Sequence, residues 1–162
     1  MTKQPPYIAF LLAKFSPGGA QSVMVNLANS IAKKGIRVDF VVADCEGPFF
    51  KQVSSAVNII DLKTKKMSRS LFRLVTYLKN NQPAVLLATQ KHTNIIACLT
   101  KFFPNITTKI ILRASSTPSV SYQNGSIMDK IIFQIARIFY PFADFFIGQS
   151  EGLTADFCSF YS

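Results

Sequence analysis

The chain has 162 residues, of which 49% are hydrophobic and 16% are charged, so it is long enough to bury a core as one domain. Its 18 Lys and Arg residues outnumber its 8 Asp and Glu residues, and the net charge of +10 favours an anionic partner: nucleic acid, an anionic membrane surface or a phosphorylated small molecule. Since no apolar run reaches the roughly 20 residues of a membrane span and no secretory signal pattern is present, we expect a cytoplasmic protein.

Three cysteines stand far apart in apolar surroundings. Because Cys45, Cys98 and Cys158 are odd in number and widely spaced, they indicate neither a disulfide framework nor a metal site. Free cysteine is among the residues most often buried, so we expect buried thiols.

Along the chain, short apolar segments predict strands, and helical spacing of apolar residues predicts the elements between them. The predicted strands span residues 7–12, 36–42, 57–62, 84–88, 109–113 and 144–148. The predicted helices span residues 20–34, 68–80, 93–102 and 126–139. Strands that are apolar on both faces and alternate with helices indicate a mostly parallel sheet covered on two sides. The sequence therefore predicts one doubly wound, Rossmann-like α/β domain over residues 1–162.

The first crossover begins with the turn Ser16-Pro17-Gly18-Gly19. It delivers free backbone N–H groups to the start of a helix, where a phosphate or another anion is readily held. Paired glycines also suit a purely structural tight turn, and the two interpretations are compatible. The turn lacks the third glycine of the dinucleotide fingerprint, and the chain contains no P-loop motif.

The helix that follows this turn is amphipathic. Val23, Leu27 and Ile31 recur at helical spacing and share one apolar face. Gly35 stands where a C-terminal glycine ends many helices.

Polar residues follow four of the predicted strands. Ligands bind outside the carboxyl ends of the strands in such sheets, so these residues are the candidate site. They are Lys14, Ser16, Gly18 and Gly19 after the first strand; Thr89, Gln90, Lys91, His92 and Asn94 after the fourth; Arg113, Ser115, Ser116 and Thr117 after the fifth; and Gln149, Ser150 and Glu151 after the sixth. Any one of these clusters also fits an ordinary solvated loop. His92 has three interpretations: a general base, a donor to sugar or phosphate, or a surface side chain.

The densest basic run opens the second predicted helix and contains Lys63, Lys65, Lys66 and Arg69. Three interpretations remain open: a solvated helix face, a patch that contacts an anionic membrane, and a nucleic-acid contact. The last is the weakest, because the charges do not alternate with aromatic residues in a recognition motif.

Two long segments resemble a known family. SPGGAQSVMVNLANSIAKKGIRVDFVVAD, residues 16–44, is similar to the amino-terminal signature of retaining GT-B-fold glycosyltransferases of the group-one, family-four type. ARIFYPFADFFIGQSEGLTADF, residues 136–157, resembles the family's helix, strand and Ser-Glu segment. NIIA at 94–97 and ILRASSTPS at 111–119 match common patterns between them. The resemblance therefore covers nearly the whole chain.

The resemblance implies a cleft enzyme whose donor is a UDP- or GDP-linked hexose and whose acceptor is a lipid-linked or cell-envelope glycan. It implies that the backbone of Gly18 and Gly19 approaches the donor phosphates. It implies that Arg113, Ser115 and Ser116 face the donor sugar or the acceptor and that Ser150 and Glu151 line the same cleft. The strand-end residues Lys14, Ser16, His92 and Asn94 are further candidates for this cleft, from their position in the predicted sheet. The family's paired glutamates belong to a carboxyl-terminal donor domain that this sequence lacks, so the resemblance names no catalytic residue and implies little transfer by the chain alone.

The sequence departs from the family pattern at three points. Gln21-Ser22 replace a frequent Glu-Arg pair, Ile36-Arg37 replace a common histidine, and the loop after the fifth strand lacks a histidine found in many members. These differences concern the substrate more than the fold. The alternative function is a non-catalytic basic module that docks on a membrane or on a partner subunit, with a membrane contact through Lys63, Lys65, Lys66 and Arg69.

Overall fold

The computed structural model describes residues 5–161, which form a six-stranded parallel sheet with helices on both faces. The predicted domain limits at residues 1 and 162 lie outside the described residues. The strands are β1 (Ile8–Leu12), β2 (Val38–Val42), β3 (Asn58–Asp61), β4 (Val85–Thr89), β5 (Lys109–Arg113) and β6 (Phe145–Ile147). The helices are α1 (Gly19–Lys33), α2 (Leu71–Asn81), α3 (Lys91–Leu99), α4 (Pro118–Gln123), α5 (Ile127–Phe139) and α6 (Glu151–Tyr161). Short 3₁₀ turns occur at Pro48–Gln52, Met67–Arg69, Thr100–Phe102 and Tyr140–Phe142.

The strand order is β3-β2-β1-β4-β5-β6, so the order reverses between β1 and β4. All neighbouring strands are parallel, and their last residues pair with one another, as Leu12 does with Val42 and Thr89 with Arg113. The carboxyl ends therefore meet at one edge, with the reversal at its centre. This is the place where doubly wound sheets bind ligands, and the predicted fold class is confirmed.

Two apolar cores lie on opposite faces of the sheet. Phe10 and Phe40 point to one face and pack with Met24 and Val25 of α1. On the other face the strands pack against α2, α3, α5 and α6, through a larger set of buried aliphatic and aromatic side chains. Burying a side chain such as Phe10 contributes about 2 kcal/mol, and these two cores hold the strands in register.

The packing of α1 differs from the prediction. Val23 and Leu27 are 42% and 38% exposed, and the buried residues are Gln21, Met24, Val25 and Ala28. The helix is rotated so that its predicted apolar face lies only partly against the sheet. The predicted helix end is confirmed, because Gly35 has a φ of 78° and its N–H donates to the carbonyl of Ala32.

The cysteines do not all lie in the core as expected. Cys98 is buried, Cys45 is half-buried and Cys158 is exposed. Burial raises the pKa of the Cys98 thiol to about 12, which keeps it protonated and unreactive.

Some helices begin at residues that differ from the predicted ones. The helix predicted from residue 68 starts at Leu71, since Met67–Arg69 form a 3₁₀ turn. The six-residue α4 was not predicted at all. At α5 the Ser126 side chain accepts from the N–H of Asp129 and the Asp129 carboxylate accepts in return, so a capping box fixes the predicted start. No helix within residues 5–161 combines the length and the apolar character needed to cross a membrane.

Candidate functional site

A cleft of about 550 Å³ opens at the carboxyl edge of the sheet, where the strand order reverses. Residues from the loops after β1, β3, β4 and β5 line it. They are Ala13, Lys14, Lys65, Lys66, Met67, Ser68, Gln90, Lys91, His92, Thr93, Ser115 and Ser116. The lining contains four lysines and no acidic residue. The volume falls within the range of small-molecule sites, so a sugar or a sugar phosphate can be accommodated.

Six of the predicted site residues meet in this cleft, after three separate strands. They are Lys14, Gln90, Lys91, His92, Ser115 and Ser116. His92 is exposed at the start of α3, and no hydrogen bond to its ring occurs within residues 5–161. The ring is therefore available to a ligand, but no described residue orients it as a general base.

Arg113 and Asn94, also predicted, do not line the cleft but a smaller cavity that adjoins it. Arg113 is only 6% exposed, and its Nη1 donates to Thr89 Oγ1 at 3.4 Å. No carboxylate within residues 5–161 pairs with its guanidinium, and burial lowers the pKa of this group. A buried cation without an acid is costly, so an anion bound nearby would stabilise it.

Asn94 shares a small cavity of about 20 Å³ with Arg113, Ser115 and Ser116. It is 3% exposed, and its Nδ2 donates to the carbonyl oxygen of Arg113 at 3.5 Å. Its Oδ1 is buried and has no hydrogen-bond partner among the described residues. The polar groups beside the cleft are therefore incompletely satisfied by the protein itself.

The basic loop after β3 is held rigidly against the sheet. The backbone N–H groups of Thr64 and Lys65 both donate to the carbonyl of Ala43 at 3.0 Å. The Thr64 hydroxyl lies 2.5 Å from that of the buried Ser70, which in turn donates to the carbonyl of Lys66. These bonds hold the backbone that carries the side chains of Lys65 and Lys66 into the cleft.

Sequence reasoning missed this part of the site. The sequence places Lys65 and Lys66 at a helix end, on a solvated face or in contact with a membrane or nucleic acid, and does not assign them to the strand-end cleft that both line. Lys63 and Arg69 of the same run do not. The signal that could have found them is their position after β3, because the rule about carboxyl ends applies to that strand as well.

Lys91 differs from the other cleft lysines because the protein holds it. Its Nζ lies 3.4 Å from Asp129 Oδ1 and 4.0 Å from the centre of the Phe133 ring. The Tyr140 hydroxyl donates to its carbonyl oxygen at 3.4 Å. Lys91 therefore anchors α3 to α5, and Lys14, Lys65 and Lys66 supply the unpaired charge of the cleft within residues 5–161.

The glycine turn stands at the same edge but outside the cleft lining. Gly18 and Gly19 are exposed, and no side chain caps the first turn of α1, so its leading N–H groups are open. Gly18 has φ 158° and ψ 152°, a conformation that is nearly restricted to glycine. A Cβ there would lie 2.7 Å from Gln21 Oε1, while Gln21 Nε2 donates to Ser16 Oγ.

Ser150 and Glu151 are not brought together with the other candidates. They border a separate hollow of about 570 Å³ with Gly148, Thr154 and their neighbours on α6. Ser150 Oγ accepts from the N–H of Leu153 at 3.2 Å, as an N-cap residue does. No group of three or more His, Cys, Asp or Glu side chains that could hold a metal ion occurs in the described part of the chain.

Comparison with known proteins agrees with this architecture. Sucrose-phosphate synthase from Thermosynechococcus elongatus superposes with a TM-score of 0.72 at 17% identity, over 98% of this chain and 46% of that protein. Anabaena Alr3699/HepE, in complex with UDP and glucose, gives 0.69 at 13% identity over 96% of this chain and 41% of its own. The lipopolysaccharide outer core galactosyltransferase WaaB, in its apo form, gives 0.64 at 12% identity over 95% and 42%.

This chain thus spans less than half the length of these structures, and at such identities the likeness shows the fold alone. No curated protein is similar enough in sequence to give a match. The model of the family described as Glycosyltransferase Family 4 matches residues 17–162, which is most of the chain. The predicted resemblance is confirmed: the chain belongs to glycosyltransferase family 4.

Proposed function

We propose that this chain is the acceptor-side domain of a retaining glycosyltransferase that transfers a hexose from a UDP- or GDP-linked donor to a lipid-linked or cell-envelope glycan. The observation that carries the proposal is the acid-free cationic cleft at the point where the strand order reverses. The UDP and glucose bound by the Anabaena relative support a nucleotide-sugar donor. The proposed place of action is the cytoplasm or the cytoplasmic face of the membrane.

The donor phosphates are assigned to the start of α1. The leading N–H groups of this helix are uncapped, and the helix dipole places partial positive charge there. Departure of a nucleoside diphosphate builds negative charge on its oxygens, which such amides stabilise without reorganising. Gly18 and Gly19 let the phosphates approach the backbone closely, because neither carries a side chain.

The cleft residues are assigned to sugar and acceptor binding. Ser115, Ser116 and His92 offer hydroxyl and ring nitrogen groups to sugar hydroxyls, and Arg113 beside them supports negative charge in the site. Ser150 and Glu151 stay candidates for the far side of the complete cleft, from their own hollow. No residue of this chain is assigned the role of catalytic nucleophile or base.

The chain is proposed to be incomplete as an enzyme. It spans 41 to 46% of its structural relatives, and a donor held by one domain alone lacks most of the contacts that orient it for transfer. Two glutamates seven residues apart, on a second α/β domain, would supply the rest. We expect the isolated 162 residues to bind UDP weakly, and to transfer no sugar from a UDP- or GDP-linked donor.

The test compares the isolated chain with the protein read from the gene beyond Ser162. If that reading frame encodes a second α/β domain with the spaced glutamate pair, the longer protein should consume UDP-hexose or GDP-hexose and the isolated chain should not. Full turnover by the isolated chain contradicts the proposal that transfer requires a second domain. A longer protein that neither binds nor consumes any nucleotide-sugar contradicts the proposal as a whole.

A second candidate function is a non-catalytic basic module that docks on a partner subunit or on an anionic membrane. It is favoured by the exposure of Lys63, Lys65, Lys66 and Arg69, all of which lie outside the ion pairs within residues 5–161. Sedimentation with anionic vesicles at 50 mM and 300 mM salt tests it, because surface charges are screened as salt rises. Binding that does not respond to salt counts against this contact.

A further inference from the structure

The cleft carries more positive charge than an uncharged sugar acceptor requires. Its lysines come from three loops: Lys14 after β1, Lys65 and Lys66 after β3, and Lys91 after β4. Only Lys91 has a carboxylate within ion-pair distance in the described part of the chain. Three like charges around one hollow repel one another, and a bound anion turns that repulsion into attraction.

We infer that this cleft takes an acceptor that bears a phosphate group, and that Lys65 and Lys66, together with Lys14, form the subsite for that group. The inference rests on the proposed function and names its substrate class. It also assigns the donor diphosphate and the acceptor phosphate to two different places. The donor diphosphate is assigned to the start of α1, whereas Gly18 and Gly19 do not line the lysine-bearing cleft. The lysines are therefore left for a second anion, that of the acceptor.

The loop that carries the subsite is organised before any ligand arrives. The Ala43 carbonyl accepts from both Thr64 and Lys65, and the buried Ser70 holds the loop from its other side. Lys65 itself has a φ of 58°, a left-handed conformation that costs a non-glycine residue free energy. Lys63, which does not line the cleft, has a similar φ of 51°, so this conformation is a property of the loop as a whole. It shapes the backbone from which the Lys65 side chain reaches the cleft.

The groups beside the cleft point to the same chemistry. Arg113 is buried without an acid, and Asn94 Oδ1 is buried without a partner within residues 5–161. Both line the small cavity that shares Gln90, Lys91, Ser115 and Ser116 with the cleft. A phosphate held in the cleft by lysines would add negative charge near an uncompensated guanidinium, and the field of Arg113 would strengthen its binding.

The phosphate has two possible sources, a soluble sugar phosphate and the phosphate of a lipid headgroup. The chemistry of the subsite is the same for both. The volume of about 550 Å³ accommodates a hexose phosphate completely, whereas a lipid would place only its headgroup in the cleft. The experiment therefore needs one arm for each source.

The basic run offers a matched pair of variants. K65Q/K66Q removes two charges that line the cleft, and K63Q/R69Q removes two exposed charges from the same run outside it. Each variant lowers the net charge of +10 by two, so non-specific attraction changes equally. Binding of inorganic phosphate, glucose 6-phosphate and glucose to the 162-residue chain is measured by calorimetry or by chemical shifts. A second arm measures sedimentation with vesicles containing phosphatidic acid, with and without glucose 6-phosphate.

We expect K65Q/K66Q to weaken glucose 6-phosphate binding about tenfold or more, the loss of one or two charge-assisted hydrogen bonds, and K63Q/R69Q to weaken it less than twofold. If glucose 6-phosphate displaces the chain from the vesicles, the cleft also accepts the phosphate of a lipid headgroup. If it does not, the phosphate comes from a soluble sugar phosphate. Equal losses in the two variants, or equal binding of glucose and glucose 6-phosphate, overturn the inference. UDP binding, measured on the same proteins, reports separately on the proposed donor site: it should survive K65Q/K66Q, and its absence from every protein would count against the proposed function instead.

Discussion

Charged side chains at the two edges of the sheet differ in whether an opposite charge lies beside them. At the amino edge, Asp39 is fully buried in β2, and every side of its carboxylate is occupied. Arg37 donates to both of its oxygens at 3.2 Å, the Tyr77 hydroxyl donates to Oδ2 at 2.6 Å, and Asn58 Nδ2 donates to Oδ1 at 3.3 Å. Burial and the bond to Asp39 raise the pKa of Tyr77, so its hydroxyl stays a donor.

The cleft at the carboxyl edge has the reverse character. Lys14, Lys65 and Lys66 converge without an acid in the lining, and the neighbouring Arg113 is buried with no carboxylate partner among residues 5–161. A balanced buried charge contributes to the folded structure and can do so without a ligand. An unbalanced cluster of one sign carries mutual repulsion that no neighbouring acid offsets, and a bound anion would offset it. The contrast distinguishes a charge that the fold compensates from charges that the described part of the fold leaves uncompensated.

The largest effect is expected from Asp39→Ala. Removing the carboxylate takes away the acceptor that Tyr77, Asn58 and Arg37 share. Since Arg37 is exposed, the main loss is the acceptor of the buried Tyr77 hydroxyl together with the packing of the site, about 3 kcal/mol of the free energy of unfolding. Urea denaturation measures the loss. Phosphate binding by the folded fraction should not change, because the cleft lies at the opposite edge. Asp39→Asn keeps one acceptor oxygen and is expected to cost less.

If Asp39→Ala has nearly the same free energy of unfolding as the native chain, the amino-edge cluster contributes no more to stability than the cleft lysines do. The comparison between the two edges would then lose its basis.

The next effect concerns the turn before α1. Gly18→Ala places a Cβ against Gln21 Oε1 in a conformation that only glycine adopts easily, at a cost of about 2 kcal/mol. We also expect weaker UDP binding, because relief of the strain moves the N–H groups at the start of the helix. Gly19→Ala is the matched control, since a Cβ there meets no atom within 4 Å. Equal effects of the two substitutions on unfolding and on UDP binding would contradict this assignment.

The amino edge also predicts a response to acid. The pKa of Asp144 is lowered: burial acts to raise it, but Lys101, the N–H of Ile110 and Lys109 together outweigh burial. A carboxyl group with a lowered folded pKa stabilises the protein above its unfolded pKa of roughly 4, and that stability is lost as the pH falls through the folded value. The unfolding free energy of the native chain should therefore fall as the pH drops below about 4.

Asp144→Asn should flatten that part of the pH profile and lower stability at neutral pH. Glu46→Gln, which removes an exposed acid outside the ion pairs of residues 5–161, should leave the profile nearly unchanged. Thermal unfolding followed at half-unit pH steps distinguishes the two variants. Parallel profiles for the native chain and Asp144→Asn would show that Asp144 does not carry the acid response.

The sheet and its site edge were predictable because their signals are local. Strand β5 was predicted at its observed bounds, since a short apolar run buried on both faces has few alternatives. Once the strand ends are known, the parallel topology brings residues such as Lys14, His92 and Ser115 together. Elementary periodicity and one rule about sheets were enough for this part of the site.

What the sequence could not predict depends on non-local bonds. The 3₁₀ turn before α2 and the place of Lys65 in the cleft follow from the Ala43 carbonyl, which is some twenty positions away in the chain. The partial exposure of Val23 depends on which helices cover which strands. Ser150 lies in a separate hollow, and its hydroxyl caps α6. Its position after β6 does not reveal this role.

The smallest expected effect tests the comparison most directly. K65Q/K66Q removes two charges that repel their neighbours and have no acid partner within residues 5–161, so we expect the free energy of unfolding to stay within about 0.5 kcal/mol or to rise slightly at low salt. Urea denaturation at 20 mM and 300 mM salt measures this, and K63Q/R69Q is the control. A marked loss of stability in K65Q/K66Q alone would make these lysines structural, as Asp39 is. If K65Q/K66Q leaves the free energy of unfolding unchanged and weakens phosphate binding, the two lysines contribute to ligand binding and not to the stability of the fold.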